Sequence, residues 1–221
     1  MEIDGGLFSN TLLFWLGGLF VVTLAAALRL APWRRLTDSR QLHVFLGTVV
    51  TLIGLWHMRG QLQPGLSFHL LGVTAITLMF GWSMATIAAA LALAAVSFNA
   101  GYGWTGYLVS YPVVVLLPIT LSQLSLVLAR RWLPKHFFIY VLGNGFITAW
   151  LVGYASGHLA MQLLSLSGAY SLAKLNLTVM PFFPLMFFPE ALVNGWVITI
   201  LVLYYPSWVH TFSDEQYIHG K

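Results

Sequence analysis

Side chains that can bind a metal ion lie inside or beside long apolar stretches of this sequence. The chain has no cysteine, so carboxylate, imidazole and thioether groups are its candidate ligands for a transition metal. The candidates are Glu2, His57, Met58, His69, His158, Met161 and Glu190. They are potential metal ligands, and the alternative for each histidine taken singly is a hydrogen-bonded residue at the membrane interface.

Motifs for enzymatic chemistry are absent from the sequence. It contains no HExxH, no GxSxG and no Walker phosphate loop, which excludes the common zinc peptidase, serine hydrolase and nucleotidase signatures. We therefore predict a protein that is not an enzyme. If it is an active transporter, a separate ATPase must supply the energy.

The composition is that of a polytopic membrane protein. Of 221 residues, 59% are hydrophobic and only 7% are charged, a far more apolar balance than soluble domains show. The net charge is +4, but the basic residues occupy short loops between apolar runs, where they act as topology signals. Nucleic-acid binding is therefore not predicted, and the lipid bilayer is the expected surrounding.

Apolar stretches of about 20 residues predict an all-α bundle of transmembrane helices in a single domain. The seven predicted spans are 7–30, 42–57, 68–80, 83–98, 105–129, 137–164 and 179–204, with a tip at 1–9 and a tail at 205–221. The third and fourth spans form one run that is too long for a single crossing. Gly81 near its middle predicts the break between them.

The distribution of basic residues predicts how the bundle is oriented. Residues predicted on the cytoplasmic side are Arg29, Arg34, Arg35, Arg40, Arg130, Arg131, Lys135 and Lys221. Only Arg59 and Lys174 fall on the opposite side. By the positive-inside rule, the N-terminus lies outside and the C-terminus in the cytoplasm of a bacterial cytoplasmic membrane.

Glu190 lies near the middle of the last predicted span. A carboxylate at that depth is costly unless it is neutral, paired or facing a cavity, so it marks a candidate functional site. The alternative is structural: a glutamic acid that ties helices together by hydrogen bonds, with Asn194 one turn away as a partner.

Three separated segments of the chain match a known pattern. Met1–Ser9 is similar to M-H-I-x-(D/E)-G-F-L-(S/P), Ser67–Gly72 with a later Phe80-Gly81 is similar to S-x-H-P-T-G-T-G-L-G-A-I-L-F-G, and Pro189–Thr199 is similar to P-V-A-L-I-E-G-x-x-T. In order and spacing they resemble the cobalt/nickel substrate-binding (S) components of energy-coupling-factor ABC importers, the CbiM/NikM family.

The resemblance implies a metal site at the N-terminus. In that family the tip folds back into the bundle and binds the ion through the terminal amine, the next amide nitrogen, a second-position histidine and the histidine of S-x-H. Carried over, the ligands are Met1, Glu2 and His69, although Glu2 stands where the family has histidine. The family's acid in the last span is at the position of Asn194, and here Glu190 lies one turn earlier. A T-type coupling protein and ATPase subunits are the implied partners.

Three interpretations of function remain open. The first is import of cobalt or nickel as the substrate through Met1, Glu2 and His69. The second is a copper-handling membrane protein with a site formed by His57, Met58, His69, His158 and Met161. The third is a non-transporting subunit of a membrane complex. In the first, Glu190 and the residues of the second serve as further or outer-sphere candidates, and no organic cofactor is predicted.

Overall fold

The structure, a computed structural model, describes residues 2–217 of the chain. Long apolar runs form helices because a helix satisfies its backbone polar groups internally. The helices are α1 Asn10–Leu30, α2 Ser39–His57, α3 Val73–Asn99, α4 Gly103–Tyr111, α5 Leu117–Trp132, α6 Thr148–Leu166, α7 Leu172–Thr178, α8 Phe183–Tyr204 and α9 Asp214–Tyr217. π-Helical segments join α4 to α5 at Pro112–Leu116 and precede α6 at Ile139–Ile147. The strands are β1 Glu2–Ile3, β2 Gly60–Gln63 and β3 Leu66–Phe68.

Five helical stretches in the described residues are long and apolar enough to cross a membrane. They are Asn10–Leu30, Val73–Asn99, Gly103–Trp132, Ile139–Leu166 and Leu172–Tyr204. The helix α2 is not among them, and α3 counts as one stretch. The predicted all-α membrane bundle is therefore confirmed, whereas the count of seven spans and the sides of the two termini stay predictions.

The helix α3 is interrupted at Gly81, where the sequence places the boundary between the third and fourth spans. Gly81 has φ 79° and ψ 173°, a conformation that glycine adopts readily and other residues do not. The interruption leaves carbonyl groups without helical partners. The amide of His210 donates to the carbonyl of Met79 at 2.8 Å, and the hydroxyl of Thr211 donates to that of Leu78 at 2.7 Å. The segment after α8 therefore supplies hydrogen-bond donors to the carbonyl groups at the interruption of α3.

The start of α3 differs from the sequence prediction. The predicted span 68–80 begins at a residue that the structure places in a strand, because Leu66–Phe68 pairs as β3. The chain then turns through Gly72, which has a φ of 68°, and the helix begins at Val73. The segment between strand and helix contains His69, so this candidate ligand lies in a connection and not in a helix.

The bundle has two distinct ends. At the basic end, Arg35 of the connection after α1 donates a hydrogen bond of 2.5 Å to Nε2 of His210. At the tip end, the last residue of α2, His57, is 2.9 Å from the side-chain amide of Asn99. The 19 residues of α2 separate the two ends by about 28 Å along the helix. Basic residues far apart in sequence therefore gather at the end opposite to the acidic tip.

The helix α8 buries one face against the rest of the bundle. Phe183, Phe187, Glu190, Asn194 and Ile198 are all at most 3% exposed. Their spacing of three or four residues places them on one side of the helix. Two polar residues therefore lie within an otherwise apolar face, and both point into the bundle interior.

Candidate metal site at the N-terminal tip

The N-terminal tip is the edge strand of a small antiparallel sheet. The strand order is β1-β3-β2, with Glu2 opposite Ser67 and Ile3 opposite Leu66. The amide of Asp4 extends the pairing by donating to the carbonyl of Gly65 at 3.1 Å. The tip therefore folds back onto the segment that leads directly to His69.

Packing against α4 holds the tip in this position. Ile3 is fully buried, and its amide donates to the hydroxyl of Ser110 at 3.0 Å. Gly5 lies so close to α4 that an added Cβ would be 2.2 Å from the carbonyl carbon of Thr105 and 2.4 Å from the amide nitrogen of Gly106. Only a residue without a side chain allows this approach. Asp4 then accepts a hydrogen bond of 2.9 Å from the amide of Gly6 and stabilises the turn.

Glu2 is a buried carboxylate with an incomplete set of partners. Its side chain is 0% exposed and forms an ion pair with Arg59 through Oε2. Its other oxygen, Oε1, is buried and has no hydrogen-bond partner in the described part of the chain. A buried carboxylate oxygen without a donor is unfavourable, and it is also a ligand atom for a cation. Arg59 is 29% exposed and also lies 5.7 Å from the centroid of the Tyr102 ring.

His69 lies two residues after the position that pairs with Glu2 in the sheet. Its ring packs on the indole of Trp56 with 5.2 Å between centroids. Nδ1 is 2.9 Å from the carbonyl oxygen of Leu70, so Nδ1–H donates and Nε2 carries the lone pair that a metal ion requires. The indole of Trp56 donates to the carbonyl of Leu71 at 2.9 Å and thereby holds the same segment. The contact with Trp56 and the hydrogen bond to Leu70 together fix the orientation of the His69 ring.

Glu190, on α8, fixes the position of the segment that follows His69. Its Oε2 accepts a hydrogen bond from the amide of Leu71 at 2.6 Å, and its Oε1 accepts from the amide of Gly72 at 2.9 Å. Asn194 donates to the same Oε1 at 2.7 Å and accepts from the amide of Ala75 at 2.8 Å. A carboxylate at the N-terminus of α3 satisfies amides that lack helical partners and interacts favourably with the helix dipole.

A cavity of about 320 Å³ lies between the sheet and α8. It is lined by His69 and Glu190 together with Gln61 and Met186, among others. His69 and Glu190 therefore border the same cavity. The candidate residues Glu2, His69 and Glu190 are thus brought to one end of the bundle by β1, by the connection after β3 and by α8.

The remaining candidate ligands lie in four different environments. His57 has both ring nitrogens engaged, Nδ1 with the Ile53 carbonyl at 2.7 Å and Nε2 with Asn99 at 2.9 Å. Met58 is 77% exposed and Met161 is 1% exposed. His158 is exposed, and its ring packs edge-on to Phe183 with 5.3 Å between centroids.

Among the described residues, no three His, Asp or Glu side chains form a ready-made metal cluster. The third ligand implied by the family resemblance, Met1, lies outside the described residues, as does the end of the predicted cytoplasmic tail. The ligand set implied by the resemblance would combine the side chains of Glu2 and His69 with backbone or terminal donors.

Two residues of the tip end were not anticipated from the sequence. Arg59 forms the ion pair with Glu2, and Ser110 binds the amide of Ile3. The pairing of Arg59 with Glu2 could have been predicted, because Arg59 is one of two basic residues predicted on the same side as the acidic tip. For Ser110 no such signal exists, since a serine inside an apolar helix is ordinary.

Comparison with known proteins identifies the family of the chain. The family model of the cobalt uptake substrate-specific transmembrane region, CbiM, matches residues 2–208. No curated protein and no solved structure is significantly similar to the chain. The match includes the tip, the His69 segment and α8, which together build the site described above. The chain therefore belongs to the CbiM family and is a membrane protein of cobalt uptake.

Proposed function

We propose that the chain is the substrate-binding component of an energy-coupling-factor ABC importer and binds a divalent transition metal ion of the cobalt/nickel class. It would act in the bacterial cytoplasmic membrane. The sequence has no phosphate-binding loop, so a T-type coupling protein and ATPase subunits would supply the energy. Membership of a cobalt uptake family supports the substrate class.

One observation carries the proposal most directly. The strand β1 pairs with β3 so that Glu2 lies opposite Ser67, two residues before His69. Burial of the Glu2 carboxylate at the tip end carries a desolvation cost, and a role as a metal ligand would account for it. The docked tip supports a site in which the chain terminus, Glu2 and His69 surround one ion.

The ligand types favour cobalt over softer ions. One imidazole and one carboxylate form a harder and more anionic set than the two imidazoles of the family pattern, and such N/O ligands suit first-row divalent ions. Glu190 is not required as a direct ligand in this arrangement. Its two oxygens already accept three hydrogen bonds, so it positions the His69 segment.

The test is equilibrium binding of Co²⁺ and Ni²⁺ to the purified chain, followed by calorimetry and elemental analysis. We expect a single Co²⁺ ion to bind. His69→Ala and one extra residue before Met1 should each abolish binding while the helices stay folded. His43→Ala is the matched control, because His43 is an exposed histidine in the first turns of α2 at the basic end.

Different outcomes separate the interpretations. Absence of Co²⁺ and Ni²⁺ binding by the unmodified chain would contradict the proposed function. Binding that ignores the N-terminal extension would rule out the terminal amine as a ligand. Cu⁺ binding that depends on Met58 and His158 would instead favour copper handling. Co-purification with a coupling protein and an ATPase would support the importer assembly.

A further inference from the structure

The tip end contains the one ion pair among residues 2–217, and it lies at the proposed metal site. Glu2 is fully buried in this pair, whereas Arg59 keeps 29% of its side chain exposed. Pairing a buried carboxylate with a cation offsets part of its desolvation cost. Here the compensation is incomplete, because Oε1 has no donor within the described chain.

We infer that Arg59 is a built-in counter-cation that occupies the Glu2 carboxylate while the site is empty and is displaced by the incoming metal ion. The inference rests on the proposed function, since it concerns the same site. The guanidinium and the metal ion share one carboxylate, and the repulsion between their charges opposes the binding of both at once. Arg59 therefore sets how tightly a cation must bind to enter.

Arg59 has a second contact that it can keep when it leaves Glu2. The guanidinium carbon of Arg59 is 5.7 Å from the ring centroid of Tyr102, within the range of a cation–π interaction. Tyr102 follows α3 at the tip end, and Arg59 directly precedes β2. A partly exposed arginine can turn toward this ring and toward solvent without crossing the packed interior, so release of Glu2 does not require the tip to leave the sheet.

This arrangement predicts discrimination by charge. When an ion binds, Glu2 exchanges the guanidinium of Arg59, which carries one charge, for that ion. The exchange is favourable only when the free energy that the ion gains from all its ligands exceeds the free energy lost by separating Arg59 from Glu2. A divalent ion gains about twice the Coulomb energy of a monovalent one at the same distance. Arg59 would therefore exclude Na⁺ and K⁺ from a buried carboxylate that they would otherwise neutralise.

The experiment compares Co²⁺ affinity in the purified chain and in variants of this pair. Arg59→Gln should bind Co²⁺ about tenfold more tightly or better, because the competing charge is removed. Arg59→Lys keeps a positive charge and should stay near the unmodified affinity. Arg40→Gln removes the same charge about 25 Å away along α2 and should leave affinity unchanged.

A double variant separates direct competition from general charge effects. In a Glu2→Gln background, Arg59→Gln should gain much less, since no carboxylate is left for the two cations to share. An equal gain in both backgrounds, or no gain in a folded Arg59→Gln protein, would overturn the inference. Failure of the unmodified chain to bind Co²⁺ would instead contradict the proposed function.

A second measurement covers the case in which Arg59→Gln does not fold. Tyr102→Leu keeps the Glu2–Arg59 pair and removes the ring that would remain beside the guanidinium once it has left Glu2. It should weaken Co²⁺ binding by about threefold, the equivalent of a modest cation–π interaction. Unchanged affinity in this variant, with Arg59→Lys also tighter than the unmodified chain, would show that Arg59 does not act by displacement.

Discussion

The two buried glutamates of the described chain are held in opposite ways. Glu190 is 2% exposed, and its oxygens accept three hydrogen bonds from Leu71, Gly72 and Asn194. Glu2 is 0% exposed, pairs through one oxygen with Arg59, and has a second oxygen without a partner. Both residues lie at the tip end, so depth alone does not explain the difference.

The comparison shows how the number of fixed donors indicates the role of a buried carboxylate. Three donors, two of them backbone amides, engage both oxygens of Glu190, which is the pattern expected of a structural role. A single flexible arginine leaves Glu2 one open oxygen and a partner that can move away. A carboxylate that binds an exchangeable ligand is expected to have few fixed hydrogen-bond donors, as Glu2 does.

The largest effect is expected when the side chain of Glu190 is removed. Glu190→Ala leaves the amides of Leu71 and Gly72 without acceptors inside the bundle. We expect a loss of roughly 3 kcal/mol or more in unfolding free energy, at about 1–3 kcal/mol for each unsatisfied donor. Thermal unfolding in detergent measures it. Glu215→Ala removes an exposed carboxylate as the control, and equal stability of the two variants would contradict an anchoring role.

The reverse pattern is expected at Glu2. Glu2→Gln should weaken Co²⁺ binding at least about tenfold, because the anionic ligand is lost. Its cost in unfolding free energy should stay near 1 kcal/mol, since Arg59 can turn toward water. Glu2→His adds a second imidazole and should strengthen Ni²⁺ and Co²⁺ binding. A variant that unfolds as readily as Glu190→Ala would show that Glu2 is a second anchor instead.

A steric change tests whether Glu2 depends on the docked tip. Gly5→Ala places a Cβ 2.2 Å from the carbonyl carbon of Thr105 and should push β1 away from β3. We expect Co²⁺ affinity to fall about tenfold because the ligands lose their alignment, while the helices stay folded because the tip precedes α1 in the chain. Gly6→Ala is the control, since its nearest contact would be Asp4 Oδ1 at 3.3 Å. Equal affinities in the two variants would contradict a docked tip.

A smaller effect is expected at the basic end, where no glutamate is involved. Burial of part of the ring, followed by the charges of Arg35 and Arg130, lowers the pKa of His210 below its ordinary value of 6.5. The folded protein therefore prefers the neutral ring, and its contribution to stability is present above pH 6.5 and lost as the pH falls through the lowered value. The unfolding temperature should drop slightly in that range.

A variant of His210 isolates this pH effect. His210→Gln cannot titrate and keeps the backbone amide that binds the Met79 carbonyl, so the decrease at acid pH should become smaller. A pH profile identical to that of the unmodified chain would assign the decrease to other groups. Co²⁺ affinity at constant pH should be the same in both proteins, because the basic end is remote from Glu2.

Much of the architecture follows from the sequence because it depends on neighbouring residues. Long apolar runs have to form helices in a bilayer, and a glycine within such a run predicts the break at Gly81. The motifs around Glu2, His69 and Glu190 also identify the family before any coordinates are considered. Helix boundaries are less well predicted, as the start of α3 at Val73 shows.

The partners of the polar groups were decided only by the tertiary structure. Glu2 and Arg59 are separated by 57 positions, and Glu190 and Leu71 by 119. A sequence marks each of these groups as costly to bury, but it does not state which donor will be within reach, because that depends on how helices and strands pack in three dimensions. Residue type alone therefore made Glu2 and Glu190 equal candidates, and packing alone gave Glu190 three donors and left one oxygen of Glu2 without a partner in the described chain.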